Sequence, residues 1–506
     1  MRALLLLFCA AFALDAQKPT EPAKAPAMSK KMQELVDRAR SVPPEFSADA
    51  LLRIAESDAV TDSGVKKELI EEAFRKASGA QEPMKRKGVR PGGGDTRTSF
   101  QARAFAQELD ALSLQSRAVH DMVKVDTRKA RELFSQIPPP RVPKLGCADS
   151  LVYDVSAFYE VLVEIAGSTF TAKERSEEAH VKLLAGFAGS VLSAVEVGPM
   201  AKALASASLT PSQLQMASTA FSAALKSLAA DDRSFSYTVS YAGSLLPDVA
   251  ALMAASKRQQ VSTVALADAL RGYLARQLGG KRCSDTGGMT IAAGLGNAGA
   301  QPTPPDAVTF FNTVILPDVY PSGEIIAALG GDEIRASSID ESAPAEPAPK
   351  SAEQTEMSDR YNGLLLNPLG TSWTNEQKAE TVWLAKLREY LAALGAWKPG
   401  QDLGPAEHFY RKNYLLSGLI NVAPAGQPRE LVLRSYIDFL QQNGYQQGSR
   451  IEWFLPVNTL LFRVLTDQAL GGLAEEMRNS GDAIVALYAQ LETLLPPSPA
   501  KIMVLM

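Results

Sequence analysis

The stretch Cys147–Ile165, CADSLVYDVSAFYEVLVEI, decides how the rest of the chain is interpreted. Its large apolar residues recur at steps of three and four, which places them on one face of an α-helix. These residues are Leu151, Val155, Phe158, Leu162 and Ile165. Further apolar residues widen that face, so the spacing predicts a helix that is buried on more than one side. Asp149 or Ser150 is expected to cap its N-terminus.

Cys147 opens this stretch, and Cys283 follows another long helical pattern, so the two cysteines bracket a helical block. The third cysteine, Cys9, lies in an N-terminal segment that we expect to be removed. Two remaining cysteines in an oxidising compartment predict a Cys147–Cys283 disulfide. Closing so long a loop contributes about 4–5 kcal/mol on a chain-entropy argument. The alternative is two unrelated buried thiols, and a count of free thiols in the denatured, unreduced protein distinguishes the two.

The N-terminus has the layout of a secretory signal peptide. Arg2 precedes an apolar run, Ala3–Leu14, that is too short to span a bilayer comfortably. Cleavage is expected after Ala16, with Ala13 as the alternative. Residues 17–27 then form a tether rich in proline and alanine. We therefore expect an exported protein, periplasmic or extracellular; the alternative is an ordinary buried N-terminal helix.

The charge of the chain gives no general case for binding nucleic acid or anionic membranes, because the net charge is −4. A basic, glycine-rich loop at Gln81–Thr98 could contact an anion. It lacks the interleaved aromatic residues that stack on bases, so a solvated connector is favoured. No second stretch is long enough to be an integral membrane span. A protein partner in the cell envelope is the expected kind of ligand, and the oligomeric state stays open.

The hydrophobic pattern predicts an all-α protein without significant β-sheet, because almost every segment has helical spacing and no convincing strand alternation occurs. Helices joined by short turns predict an array of helix hairpins, either an irregular α-solenoid or bundle-like. Proline-rich stretches suggest the boundaries. The expected divisions are a signal peptide at 1–16, a tether at 17–27, an N-terminal helical region at 28–137, a central block at 147–283, a Gly/Pro loop with short helices at 284–335, a disordered linker at 336–356 and a C-terminal helical region at 357–496.

Local signals fix several helix ends. Capping boxes, in which a Thr and a Glu or Gln three residues later satisfy backbone N–H groups, occur three times. They lie at Thr171–Glu174, Thr210–Gln213 and Thr374–Gln377. Pro247 is expected to kink or interrupt a helix over 234–255, and Pro456 to kink or delay one over 451–465.

The motif search singles out no catalytic, cofactor-binding or metal-binding residue. Gly294–Gly299 matches GxGxxG, but it follows a poor strand and precedes a proline-rich run, so a dinucleotide site is not favoured. No GxSxG elbow occurs. His120, His180 and His408 have no metal spacing. Glu177 and His180 are three apart and are expected to share an exposed polar helix face.

An aromatic cluster near the C-terminus could line a groove for a peptide or glycan. Its members are Tyr436, Phe439, Tyr445, Trp453 and Phe454. Most of them fall on predicted helices, so the hydrophobic core is the favoured place for them.

The function expected from these features is a protein-interaction or scaffold module in the cell envelope, because helix-hairpin arrays present extended binding surfaces. The alternative is a hydrolase that acts on cell-wall or other glycan polymer through paired carboxylates. A structural envelope protein without a discrete site is a third possibility. An enzyme is the less favoured class, since no pair of acidic residues stands out.

Overall fold

The fold was analysed in a computed structural model that describes residues 28–81, 107–142, 152–229, 232, 234–238, 244–279, 352–398, 405–443, 450–466 and 470–495. In these ranges the regular secondary structure is α-helical, apart from one isolated antiparallel bridge between Leu366 and Ser372. The prediction of an all-α, multi-helical fold is therefore confirmed.

The N-terminal and central helices fall into two groups along the chain. The first group comprises α1 (Lys30–Ser41), α2 (Pro44–Glu56), α3 (Ser63–Ala77), α4 (Ala111–Val125) and α5 (Thr127–Phe134). The second comprises α6 (Ser156–Ser168), α7 (Ala172–Ser176), α8 (Ala179–Gly189), α9 (Ala194–Ser206), α10 (Pro211–Ser227), α11 (Ser234–Thr238), α12 (Leu245–Arg258) and α13 (Val264–Gly279).

The C-terminal helices form a third group. They are α14 (Ala352–Leu365), α15 (Asn375–Ala379), α16 (Thr381–Ala396), α17 (Pro405–Val422), α18 (Gln427–Gln442), α19 (Arg450–Thr466), α20 (Gly471–Arg478) and α21 (Ala483–Leu494). Helices near one another in sequence pack together: α2 on α3, α3 on α4, α4 on α6, α6 on α9, and α9 on α12. The last helix departs from this pattern, because α21 packs on α1 and α2.

Buried apolar side chains from all three groups form one connected cluster. Phe46 on α2 illustrates the link, since its ring lies edge-on to Phe454 on α19 and to Tyr488 on α21, with centroids 5.0 and 6.0 Å apart. The C-terminal region is thus packed against the N-terminal region, a contact that the sequence pattern did not suggest.

A largely buried charge network, in which Glu56 is exposed, joins α2, α4 and α21, and we call it the closing network. Arg117 donates to Asp49 at 2.6 Å and, through two guanidinium nitrogens, to Glu56 at 2.9 Å each. The Tyr488 hydroxyl donates to the other Asp49 oxygen at 2.7 Å. Arg53 pairs with Glu492 at 2.7 Å. Each of these carboxylates faces a guanidinium, so none of them is left without an ion pair.

Several local predictions are confirmed. The Thr side chains of all three capping boxes accept the expected backbone N–H, and the reciprocal Glu or Gln bonds are present. The Asp126 side chain caps α5 by accepting the backbone N–H of Lys129. The aromatic residues Tyr436, Phe439, Trp453 and Phe454 are buried in the core, while Tyr445 lies outside the described residues.

Other expectations need correction. The helix that follows Cys147 begins at Ser156, and its N-cap position, Val155, offers no side-chain cap. The interruption expected near Pro247 is present, because α11 ends at Thr238 and α12 begins at Leu245. Pro247 itself falls in the first turn of α12, where a missing N–H is tolerated. Pro456 lies inside α19, which continues past it.

Glu177 and His180 do not share a helix face. Glu178 between them adopts a left-handed φ of 57°, which separates α7 from α8. His180 is buried rather than exposed, and its Nδ1 has no hydrogen-bond partner. Burial lowers the pKa of His180, so its neutral form is favoured.

Candidate functional site

The residues that the sequence singled out for chemistry lie mostly outside the described ranges. Cys147 and Cys283 are both outside them, as is the Gly294–Gly299 motif, and the disulfide stays a prediction. The described ranges contain no group of three or more His, Cys, Asp or Glu side chains that could hold a metal ion. Two other features are candidates for function, a polar pocket in the central block and an exposed turn in the C-terminal region.

The polar pocket lies between α6, α9 and α12 and encloses about 270 Å³. Three serine hydroxyls, two carboxylates and one lysine line it together with small apolar groups. The lining residues are Ser156, Glu160, Val163, Pro199, Lys202, Ala203, Ser206, Ser244 and Asp248.

Helical spacing brings these polar groups to the pocket. Each helix contributes a polar pair four residues apart, and such pairs lie on one helix face. The pairs are Ser156/Glu160, Lys202/Ser206 and Ser244/Asp248. The sequence therefore indicated a polar face on each of the three helices, but it did not indicate that these faces meet in one pocket.

Gly198 allows α9 and α12 to approach closely beside the pocket. A Cβ at this position would lie 3.1 Å from both the Asp248 Oδ2 and the Ser244 Oγ, and 3.3 Å from the Leu245 Cα. Pro199, the next residue, adds a rigid ring to the lining and provides no backbone donor. The Gly-Pro pair thus shapes one wall of the pocket.

The pocket holds more negative than positive charge. Lys202 forms an ion pair with Glu160 at 2.7 Å, with the two side chains 55% and 58% exposed. Asp248 is half-buried and hydrogen bonds to Ser244, and burial is the main cause that raises its pKa. The Glu160 carboxylate raises the pKa of Asp248 further, while Lys202 opposes this. Two carboxylates thus share a single lysine.

The second candidate is the turn from Asn367 to Thr371, which displays Leu369 with 87% of its surface exposed. The Asn367 side chain fixes the turn, because its Oδ1 accepts the N–H groups of Leu369 and Thr371 at 3.0 and 3.2 Å. Its Nδ2 donates to the Thr371 hydroxyl at 2.7 Å. Gly370 supplies the positive φ, 75°, that the turn requires.

Other exposed apolar residues surround this turn. Leu366 pairs with Ser372 across the bridge and is 44% exposed. The ammonium of Lys386 lies 5.2 Å from the centre of the half-buried Trp373 ring. Val382, one turn before Lys386 on α16, is also exposed. We call Leu366, Leu369, Trp373 and Val382 the apolar turn.

Comparisons with protein-family models, with curated proteins and with solved structures found no match for this chain. Among the helices that the structure describes, none combines the length and the apolar character needed to cross a membrane. The part of the chain that the structure describes is an all-α, multi-helical protein that carries the polar pocket and the apolar turn. The function has to be argued from these sites.

Proposed function

We propose that the chain is an exported interaction or scaffold protein of the cell envelope and that it binds a protein partner through the apolar turn. The observation that carries this proposal is the exposure of Leu369 on a turn held in place by Asn367. A leucine that is presented on a preorganised turn loses little conformational freedom when it is buried by a partner.

The surroundings of Leu369 support the same conclusion. Single exposed apolar residues are common on protein surfaces and need no explanation. Here Leu366 and Leu369 are exposed on the segment that leads to Trp373, and Val382 is exposed one helical turn before Lys386, whose ammonium lies over the Trp373 ring. Interfaces commonly combine a central aromatic or aliphatic anchor with a polar rim.

Export is supported by the sequence of residues 1–16 alone, with its single arginine followed by an apolar run. The proposal predicts that the protein purified from the envelope or the medium begins at Gln17. N-terminal sequencing of that material tests it, and a chain that retains Met1 and stays in the cytoplasm would contradict export.

The interaction is tested by affinity capture from envelope extract with the chain from Gln17 as bait. Deleting the C-terminal helices is a poor control, because α21 packs on α1 and α2. Point variants are better. Leu369→Ser combined with Val382→Ser should lose a partner that the unaltered chain retains stoichiometrically. Leu192→Ser, at a residue 69% exposed elsewhere, should retain it. Equal capture by both variants, or no capture at all, would contradict the proposal.

A hydrolase that acts on a glycan is the second candidate, because Glu160 and Asp248 line one pocket and Asp248 has a raised pKa. A carboxylic acid with a raised pKa can act as a general acid beside an ionised carboxylate. The chain should then release soluble sugars from wall polymer, and Asp248→Asn should abolish the release. Failure of the unaltered chain to release sugars removes this candidate and leaves the interaction proposal intact.

A further inference from the structure

We propose that the polar pocket between α6, α9 and α12 binds a protonated primary amine, with Asp248 as its direct partner. The pocket holds the carboxylates of Glu160 and Asp248 against the single ammonium of Lys202. This inference is independent of the proposed partner site, because the apolar turn belongs to a different group of helices.

Asp248 forms no ion pair with the cationic side chains described around the pocket. Lys202 is committed to Glu160 at 2.7 Å. Asp154 adds a third carboxylate at the edge of the pocket, since it accepts the backbone N–H of Ser156 at 2.9 Å and also acts on Lys202. Within the described ranges, no Lys, Arg or His lies within ion-pair distance of Asp248. A bound ammonium would supply the missing charge.

The chemistry of the lining favours an organic cation over a metal ion or an anion. Among the described residues, no group of three or more His, Cys, Asp or Glu side chains converges that could hold a metal ion. An anion would be repelled by the excess of carboxylates. The hydroxyls of Ser206 and Ser244 can accept hydrogen bonds from an ammonium group beside Asp248.

The apolar part of the lining suits an alkyl stem. Val163, Pro199 and Ala203 line the pocket beside the charged groups. At about 270 Å³, the space is at the small end of the range for ligand sites and suits a short amine or one amine-bearing side chain. The same chemistry is offered by a free alkylamine and by a lysine side chain of a peptide, and the experiment separates the two.

The test is a calorimetric or NMR titration of the full chain from Gln17 with butylamine and, separately, with Nα-acetyl-lysine amide. Butanol and Nα-acetyl-norleucine amide are the uncharged counterparts. At least one amine should bind at least tenfold more tightly than its uncharged counterpart, and added salt should weaken that binding. Binding of butylamine alone identifies a free amine as the ligand class, and binding of the lysine derivative identifies a peptide side chain.

Three variants decide whether Asp248 is the partner. Asp248→Asn should weaken amine binding about tenfold or more, as expected for loss of a charge-assisted contact. Lys202→Met should strengthen it several-fold, because the competing internal ammonium is gone, and a purely structural role for Lys202 would not produce this result. Asp268→Asn, at a carboxylate that pairs with Arg271 on α13, is the control and should leave binding unchanged.

The proposal is overturned if neither amine binds, if the uncharged compounds bind equally well, or if Asp248→Asn binds as the unaltered chain does. Circular dichroism of each variant establishes that it folds. If Asp248→Asn does not fold, the Lys202→Met variant decides: unchanged or weaker amine binding contradicts the proposal. Each titration measures binding in the absence of turnover, so its outcome is separate from that of the sugar-release assay.

Discussion

The closing network and the polar pocket both gather carboxylates and cations between helices, but they differ in burial and in whether every carboxylate has an ion pair. In the closing network, Asp49 and Glu56 face Arg117, and Glu492 faces Arg53. In the polar pocket, Lys202 is paired with Glu160, Asp248 has no ion pair among the described residues, and the Lys202–Glu160 pair is more than half exposed. A largely buried network in which each carboxylate has an ion pair holds helices together. An exposed group of charges with one unpaired carboxylate can still bind a ligand.

The largest expected effect comes from breaking the closing network with Arg117→Met. Asp49 would then remain buried without its guanidinium, and the exposed Glu56 would lose its ion pair. Loss of one partner from a buried charge network costs about 3–5 kcal/mol. Lys202→Met removes the half-exposed cation of the pocket and should cost at most about 1 kcal/mol. Chemical denaturation measures both variants, and equal losses would show that the two regions do not differ in this way.

The pH dependence of stability should also differ between the two regions. Asp121 on α4 represents the closing network, because it lies beside Glu56. Burial and the neighbouring Glu56 carboxylate raise the pKa of Asp121 to about 7. An unfolded aspartate titrates near 4, so the native chain binds this proton more tightly than the unfolded chain does. The stability that the proton contributes is present below about pH 4 and is lost as the pH rises through about 7.

Asp121→Asn removes this titration. The free energy of unfolding of the variant, minus that of the unaltered chain, should be higher at pH 8 than at pH 5. The expected difference is about 1–3 kcal/mol. Asp248→Asn should show the same sign with a smaller difference, because Asp248 is only half-buried. Denaturation at pH 5 and pH 8 provides the measurement, and a difference of opposite sign for Asp121→Asn would contradict the assignment.

The smallest expected effect concerns the backbone beside the pocket. Gly198→Ala introduces a methyl group 3.3 Å from the Leu245 backbone and 3.1 Å from Asp248, so α9 and α12 must separate slightly. We expect a net loss of about 1 kcal/mol, after the higher helix propensity of alanine is included. Gly186→Ala on α8 meets nothing within 4 Å and should gain about 0.5–1 kcal/mol. Thermal unfolding of the pair measures the contrast.

Local structure was largely predictable from the sequence because it depends on neighbouring residues. The capping box at Thr210–Gln213 is one case, since both of its hydrogen bonds lie within four residues. The separation of α20 from α21 also depends on a nearby residue. Asp482, which accepts the N–H groups of Ile484 and Val485, is the signal that could have revealed the second helix.

The candidate sites were harder to predict because they depend on distant residues. Glu160, Lys202 and Asp248 are ordinary exposed-face residues in sequence terms and meet only through the packing of three helices. The exposure of Leu369 was hard to predict for a different reason, because the sequence of a short turn does not indicate whether its leucine is buried or exposed. The Asn367–Gly370 pair that fixes this turn was visible in the sequence and is a signal for a rigid turn.

The packing of α21 on α1 and α2 has a consequence for the order in which the protein folds. The bond between Tyr488 and Asp49 joins residues 439 positions apart. At the usual speed of synthesis, roughly 20 to 90 seconds pass between the appearance of the two ends of this bond. During that interval the N-terminal helices lack their final cover, so their apolar faces are accessible to chaperones. The last helix of the described residues completes the packing of the first ones.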